Sequence, residues 1–457
     1  MANITNFNPV VASAIQNQTL DLKFLPAMNG KLAYSPFTYS YKLDANLGES
    51  KTFTRNSRLP VDTTPSAPDD GTANLDNNMT ANKAGVEQFT IQLLQWNRMD
   101  KVNLMQQEAL IASDFNRSLG NLGYLAAQLK DRLVRKAYMD AYMGGNTAVI
   151  AGGTTSTTAA HVDDIRGFLN VLNTSGQLVA VNGSNTLLVD EINSSGAIVQ
   201  TLTVTGASPD GSNTSGLFVN DNSLGGISGQ LTFNTATSAP TVGNALVARN
   251  APKVFRAGAR NHYSNLTGGD IATVDDLDSI VTYLRNQGNP GFKDGYIYAI
   301  GGPDAFRHWR RDPQFQLAYQ GRYDAPEVKS GRITEYGGVR FIETTEVPIN
   351  TLASGSRVNR VLFTADPETC MEADWQGFNN YIAGTSSPTV YCEKMSSNCA
   401  LFIPEPIDAM REQQKMAFKL VTGFSCGSDL KANDQNQIPT AAIGVMFRKA
   451  AIYEFVA

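Results

Sequence analysis

The sequence predicts a mixed α+β fold, and three observations predict it. Short segments alternate apolar and polar residues with the period of a half-buried strand, as at Phe37, Tyr39, Tyr41 and Leu43. One long segment instead repeats apolar residues at steps of three and four: Leu122, Leu125, Leu129, Leu133, Ala137 and Ala141. From Gly167 to Ala248 there is no Lys or Arg, and the chain is dense in Gly, Ser, Thr, Asn and Val.

A chain of 457 residues is long enough for about two or three packed domains. Charged residues make up 17% of it, against about a quarter in a typical soluble domain. Low charge suits a subunit that buries its surface against copies of itself, and suits an ordinary neutral protein equally. The net charge of −5 argues against base readout, because dedicated nucleic-acid binders are strongly basic. Weak, non-specific contact with DNA is compatible with it. The opening Met1-Ala-Asn-Ile-Thr-Asn-Phe7 has no basic region followed by an apolar stretch, so no signal peptide is expected. No stretch approaches eighteen apolar residues, so no membrane-spanning helix is expected. Cys370, Cys392, Cys399 and Cys426 include no Cys-x-x-Cys pair and read as inert thiols in a reducing compartment.

Residues 1–36 are polar without a sustained period and read as an extended arm. A strand begins at Phe37, and alternation returns at Phe89, Ile91 and Leu93. Between them Arg55–Ala84 is rich in Asp, Asn, Thr and Pro, and reads as a long two-stranded loop projecting from the body. The helix at Leu122–Ala141 leaves Gln128, Asp131, Arg132, Arg135 and Lys136 off its apolar stripe, and Gly144-Gly145 ends it. A helical-looking segment, His161–Leu172, carries Asp163-Asp164 as first-turn acids.

The stretch free of basic residues holds short β-like runs: Gln177–Val181, Thr186–Val189, Ala197–Thr205, Gly216–Asn220 and Gln230–Asn234. Asn182-Gly183, Asp210-Gly211 and Gly225-Gly226 separate them as turn signals. They predict a small barrel or sandwich. Thr273 then caps a helix with Asp275 and Asp276 in its first turn and Val274, Leu277, Ile280, Val281 and Leu284 as its stripe. Tyr296–Ile300 reads as a strand, Asp304–Tyr319 as a helix broken at Pro313, and Gly337-Gly338 as a turn into Val339–Thr344. Met416, Phe418 and Leu420 mark a further strand, and Ala442–Val456 a last one built into a sheet.

No catalytic, cofactor or metal residue is assigned. His161, His262 and His308 are isolated and no His-x-x-x-His occurs. Gly301-Gly302-Pro303 lacks the phosphate-loop lysine, and Gly226-Ile-Ser-Gly229 lacks the spacing of a nucleophile elbow. Asp275, Asp276 and Asp278 read as helix-terminal acids, not a cation site. Arg307, Arg310 and Arg311, with His308, form a basic patch beside Phe306 and Trp309. It reads either as an inter-subunit or DNA-phosphate contact, or as a solvated helix face with ordinary salt bridges. Arg132, Arg135 and Lys136 on the long helix are candidates of the same kind.

The segment Thr273–Pro348 carries a resemblance. It holds a helix, the strand Gly295-Tyr-Ile-Tyr-Ala-Ile300, then Pro303-Asp-Ala-Phe-Arg-His-Trp-Arg-Arg311 and Gly331-Arg-Ile-Thr-Glu-Tyr-Gly-Gly-Val-Arg-Phe-Ile-Glu-Thr-Thr345. This run resembles the major capsid proteins of tailed bacteriophages with the Hong Kong 97-type fold, and the order of arm, loop and helix extends the likeness. The resemblance implies an N-terminal arm over 1–36, an E-loop over 37–96 and a spine-helix region over 97–150, its helix about Leu119–Met143. A β-rich insertion over 151–250 and peripheral (P) and axial (A) domains sharing 251–457 would follow. It also implies hexamers and pentamers of this chain enclosing double-stranded DNA in a virion capsid assembled in the host bacterial cytoplasm. Scaffolding, portal and decoration proteins are the implied partners, with non-specific DNA contact and no membrane. The rival expectations are a tail-tube or decoration protein, a bacterial surface protein, or an enzyme without a recognisable motif.

Overall fold

The computed structural model describes residues 19–29, 32–44, 50–56, 86–103, 113–151, 155–210, 227–319, 334–404, 413–433 and 449–456, apart from isolated positions at 235, 250, 290, 353, 386–389, 397, 428–429 and 431. Residues 1–18 of the expected arm, loop 57–85, the run Gly216–Asn220 and residues 442–448 lie outside them. The fold is α+β. Among the described residues its α-helices are α1 (Thr19–Asn29), α2 (Ser113–Tyr142), α3 (Val274–Asn286), α4 (Pro303–Arg311), α5 (Pro313–Tyr319) and α6 (Gly377–Thr385).

A seven-stranded sheet forms the largest core. Its order is Val254–Arg256, Ala450–Val456, Arg357–Thr364, Ile297–Gly301, Val339–Glu343 and Glu335–Tyr336, with Ile349–Thr351 also on Arg357–Thr364. Ala450–Val456 is buried at every position, as is Val358–Thr364. Strands covered on both faces read as near-continuous apolar runs, which is why these segments lack clean alternation. Helices α2, α3 and α4 contribute Tyr138, Met139, Leu277, Ile280, Leu284, Phe306 and Trp309 to this core. The cap of α3 forms as its sequence signals: Thr273 Oγ1 accepts from the Asp276 N–H at 3.2 Å, and all five stripe residues are buried.

A four-stranded sheet, ordered Val390–Lys394, Cys399–Pro404, Gln413–Thr422 and Leu94–Asn103, packs against α1 and the first half of α2. Met416, Phe418 and Leu420 meet Phe24, Leu119, Leu122 and Ala126 there. Residues 19–29 are therefore helical and docked, contrary to the extended arm expected. Pro26, normally a helix breaker, hid the element. Close approach explains its docking. A Cβ on Gly123 would lie 2.7 Å from the Phe24 carbonyl oxygen, so the small residues Gly123, Ala126 and Ala127 admit the second helix.

The apolar stripe of α2 also needs correction. Its buried face runs through Leu119, Leu122, Ala126, Ala127, Val134, Tyr138, Met139 and Tyr142, while Leu125 is 46% exposed. Asp131 and Arg135, expected off the stripe, are 1% and 2% exposed. Their partners are distant segments, which hydropathy along one helix cannot register.

Tyr39–Leu43 pairs in parallel with Met371–Trp375, which pairs antiparallel with Phe424–Ser425. Phe37 leaves the expected strand face: Ser35-Pro36-Phe37 is a 3-10 turn, and the Phe37 ring packs on Phe292 and Tyr298. Tyr39 is 44% exposed. Beside this sheet, Ser50–Asn56 and Val86–Gln92 form a hairpin in continuous register. Phe53, Phe89 and Ile91 bury against Leu43 and Ala373, while Thr52, Thr54 and Thr90 face solvent.

The segment poor in charge forms a six-stranded sheet: Asn146–Ala148, Ala245–Ala248, Leu187–Ile192, Ile198–Pro209, Gly229–Phe233 and Ala159–Val162. A bridge between Val149 and Val162 joins its first and last strands, so the sheet closes into a barrel with its own apolar cluster. Closure removes the open edges that a small sheet would expose. The abundance of Asn has a local cause: Asn173, Asn182 and Asn193 each accept backbone N–H groups two to four residues ahead, closing tight turns. His161–Leu172 is not helical. It supplies the end of one barrel strand, a turn, and Asn170–Leu172.

Candidate functional site

Helix α4 presents the basic patch. Pro303 at its start and Asp304 in its first turn suit the helix N-terminus, and the basic residues gather in its last turn, where the helix dipole favours them. Ala305, Phe306 and Trp309 are buried, and the Trp309 indole N–H donates to the Thr273 carbonyl at 3.0 Å. That anchoring turns Arg307, Arg310 and Arg311 to solvent. Burial, then the charge of Arg307, holds His308 below its ordinary range, so the patch owes its charge at neutral pH to arginine.

The candidates on α2 have a different situation. Arg132 grips Glu346 with Nε at 2.7 Å and Nη2 at 3.2 Å, and Lys136 pairs with Asp140 at 2.6 Å. Arg135 is turned inward and donates to the Glu346 carbonyl. The six residues thus fall into two sets on two helices. Arg307, Arg310 and Arg311 are exposed, with Arg310 Nε also donating to the Phe306 carbonyl at 3.3 Å, whereas Arg135 is turned inward and Arg132 and Lys136 hold carboxylates of this chain.

A second surface was not singled out in the sequence. Leu94–Asn103 pairs along its whole length with Gln413–Thr422 and is the terminal strand of its sheet among the described residues. It exposes Leu94 at 48% and Met99 at 60%. A ten-residue edge strand bearing exposed apolar side chains is a template for association with another chain.

A buried polar network lies outside every candidate residue named from the sequence. Glu454 is fully buried and accepts from Arg256 Nε at 2.7 Å and Arg360 Nε at 2.8 Å. Burial pushes the Glu454 carboxyl up, but Arg360 and Arg256 together hold it below the usual carboxylate range. The available signal was a lone acid inside the apolar run Ala450–Val456, since a buried charge requires a partner. The network continues to the barrel. Asp163 accepts from Thr147 Oγ1 at 2.6 Å, the Ala148 N–H at 2.8 Å and the Tyr263 hydroxyl at 2.6 Å, with His262 Nε2 at 3.5 Å. Asp163 and Asp164 are therefore buried partners and not helix-terminal acids; Asp164 grips Arg166, with Nη2 at 2.6 Å.

Burial lowers His262 to about 4, with Asp163 opposing and Arg256 and Arg360 reinforcing the fall. An unfolded histidine takes its proton near 6.5, so between those values the unfolded chain binds more protons. Stability is expected to decline as pH falls through this window, by up to about 3 kcal/mol. Urea midpoints at pH 7, 5.5 and 4.5 test this. The decline is expected to flatten in His262→Gln, and identical pH slopes for the two proteins would contradict the assignment.

Among the described residues no group of His, Cys, Asp and Glu is placed to hold a metal ion, and no helix is long and apolar enough to cross a membrane. No family model matches the chain, and no curated protein matches its sequence. Among solved structures it is similar to the capsid of Ralstonia phage GP4, at 10% identity and TM-score 0.43 over 88% of each chain. It is also similar to the capsid asymmetric unit of cyanophage Pam1, at 11% identity and TM-score 0.45 over 92% of this chain and 88% of that one. A third is the mature capsid of bacteriophage PhiM1, at 8% identity and TM-score 0.42 over 93% and 87%. Scores and identities this low leave the functional reading to the chain's own surfaces.

Proposed function

We propose that this chain is a major capsid protein of a tailed bacteriophage, which assembles as hexamers and pentamers into an icosahedral shell around double-stranded DNA. The observation that carries the reading is the hairpin Ser50–Asn56/Val86–Gln92. It is rooted in the body by Phe53, Phe89 and Ile91, and the long polar segment 57–85 joins its two strands in sequence. The rooted hairpin and the apolar strand edge Leu94–Asn103 are unlike surfaces on one subunit, and unlike complementary surfaces are what closed rings require. The low charge of the chain fits extensive burial between copies.

In this reading residues 1–36 are the arm, with α1 its docked part, and 37–96 the E-loop. Residues 97–150 contain the spine helix, 151–250 the inserted barrel, and 251–457 the P and A domains. Arg307, Arg310 and Arg311 contact a neighbouring subunit or DNA phosphates, with Arg132 and Lys136 as secondary contacts. Scaffolding, portal and decoration proteins are the partners, and assembly takes place in the host cytoplasm. The chain acts by assembly, without catalysis.

The test is expression with a candidate scaffold, followed by electron microscopy. Replacing 57–85 with Asn-Gly, a two-residue hairpin turn, is expected to leave a folded subunit that forms no closed shells. Normal shells from that variant would refute the role of the loop. Charge reversal of Arg307, Arg310 and Arg311 to Glu is expected to block closure or DNA retention, and unaffected filled particles would remove them from the contact. A native chain that stays monomeric at high concentration with scaffold would end the capsid reading, and tubes would point to a tail component.

A further inference from the structure

Two cysteines distant in sequence flank the same end of one strand pair. Met371 is opposite Ser425 and Glu372 opposite Phe424 in antiparallel register. Carried one step beyond the paired residues, this register sets Cys370 against Cys426. Cys370 continues its strand, with extended backbone at φ −127° and ψ 125°, and its carbonyl accepts from the Tyr39 N–H at 2.9 Å.

The parity of the ladder fixes the kind of pair. The Ala373 N–H donates to the Gly423 carbonyl at 2.9 Å, which marks Ala373 and Gly423 as a hydrogen-bonded pair. Such pairs alternate with non-bonded ones, so Cys370 and Cys426 fall at a non-bonded position. Opposed Cα atoms there are about 4.5 Å apart, the closer of the two classes. A disulfide spans about 4.4–6.8 Å between Cα atoms. Tyr138 on α2 gives independent support. Its hydroxyl is pushed well above its ordinary range by burial first, and then by the nearness of both Cys370 and Cys426.

Access is asymmetric. Cys370 is fully buried, while Cys426 is partly exposed and lines a cleft of about 370 Å³. Ala137, Asp140, Arg166, Leu169 and Leu178 are among the residues of its other walls.

We propose that Cys370 and Cys426 are a redox pair that closes to an intramolecular disulfide when a small external disulfide enters this cleft. The Cys426 thiolate attacks the external disulfide, forms a mixed disulfide and expels one thiolate. Cys370 loses its proton and attacks the Cys426 sulfur, expelling the second thiolate. Two protein thiols are oxidised by two electrons, and one external disulfide is reduced to two thiols. The bond would pin the strands beneath the C-terminal half of α2, and it forms irrespective of what the chain assembles into. The two remaining cysteines take no part: Cys392 faces Phe402 and Cys399 faces Leu420 across their own strands.

The experiment exposes the full-length chain to excess oxidised glutathione. Acid quenching, alkylation in denaturant and peptide mass mapping follow. The expected result is a Cys370–Cys426 linked peptide, reversed by dithiothreitol, with two of the four cysteines still alkylated. Cys370→Ser is expected to trap glutathione on Cys426, and Cys392→Ser to leave the link intact. Glutathione lodged on Cys426 of the native chain without the link, a link between two chains, or full alkylation of Cys370 and Cys426 would each overturn the proposal.

Discussion

Glu454→Ala is expected to cost about 3–5 kcal/mol of stability, as befits removal of one member of a buried ion pair. The side chain lies in the middle of the central sheet and is the shared acceptor for Arg256 and Arg360. Arg360 is 1% exposed and keeps its bond to Asn350 Oδ1 at 2.6 Å, and Arg256 keeps the Asn261 carbonyl at 2.5 Å. Neither contact replaces the lost negative charge, so two buried guanidiniums remain without a counter-charge. The effect is read as a fall in the urea midpoint of the full-length chain. Exchanging all three ions for apolar residues of similar size, Arg256→Met and Arg360→Met with Glu454→Leu, is expected to recover much of the loss, because the desolvation penalty goes with the charges. A single substitution costing under about 1 kcal/mol would show that the network contributes little.

Asp131→Ala is expected to cost about 3 kcal/mol and to loosen residues 33–35. A single carboxylate oxygen, Asp131 Oδ1, accepts the N–H groups of Ala33, Tyr34 and Ser35 at 3.1, 2.7 and 3.0 Å. Burial raises the Asp131 carboxyl above its usual range despite those three bonds. Removing the acceptor leaves three buried donors, each costing about 1–3 kcal/mol when unsatisfied, and less in sum because the segment can move to water. Asp131→Asn retains an acceptor oxygen without the charge and is expected to cost about half as much. Urea denaturation gives the magnitude, and limited proteolysis near residue 33 reports the loosening. A large stability loss with no new cleavage would place the effect in α2 itself.

Both sites show why parts of this protein were legible and others not. The cap and stripe of α3, the break at Pro313 and the turns at Gly337-Gly338 all rest on interactions within about five residues, which pattern reading captures. Exposure of Arg307, Arg310 and Arg311 follows from the burial of Phe306 and Trp309 on the same short helix. By contrast, the true face of α2 depends on residues 33–35 and on Glu346, and the docking of α1 depends on Gly123. Asp163 resembled a helix-terminal acid until Thr147 and Tyr263 were placed around it.

Residue type and spacing alone determined the α+β class, the β character of the stretch without basic residues, the burial of the last strand and the solvent-facing arginines of α4. Each is a matter of local period, turn chemistry or one helical turn. Tertiary structure alone decided which face of α2 is inward, that the β stretch closes into a barrel, that Glu454 is matched by two arginines, and that the strands next to Cys370 and Cys426 pair with each other. Those outcomes belong to pairs of segments separated by tens to hundreds of residues. Their energies come from desolvation and matching between surfaces that meet only once the chain has folded.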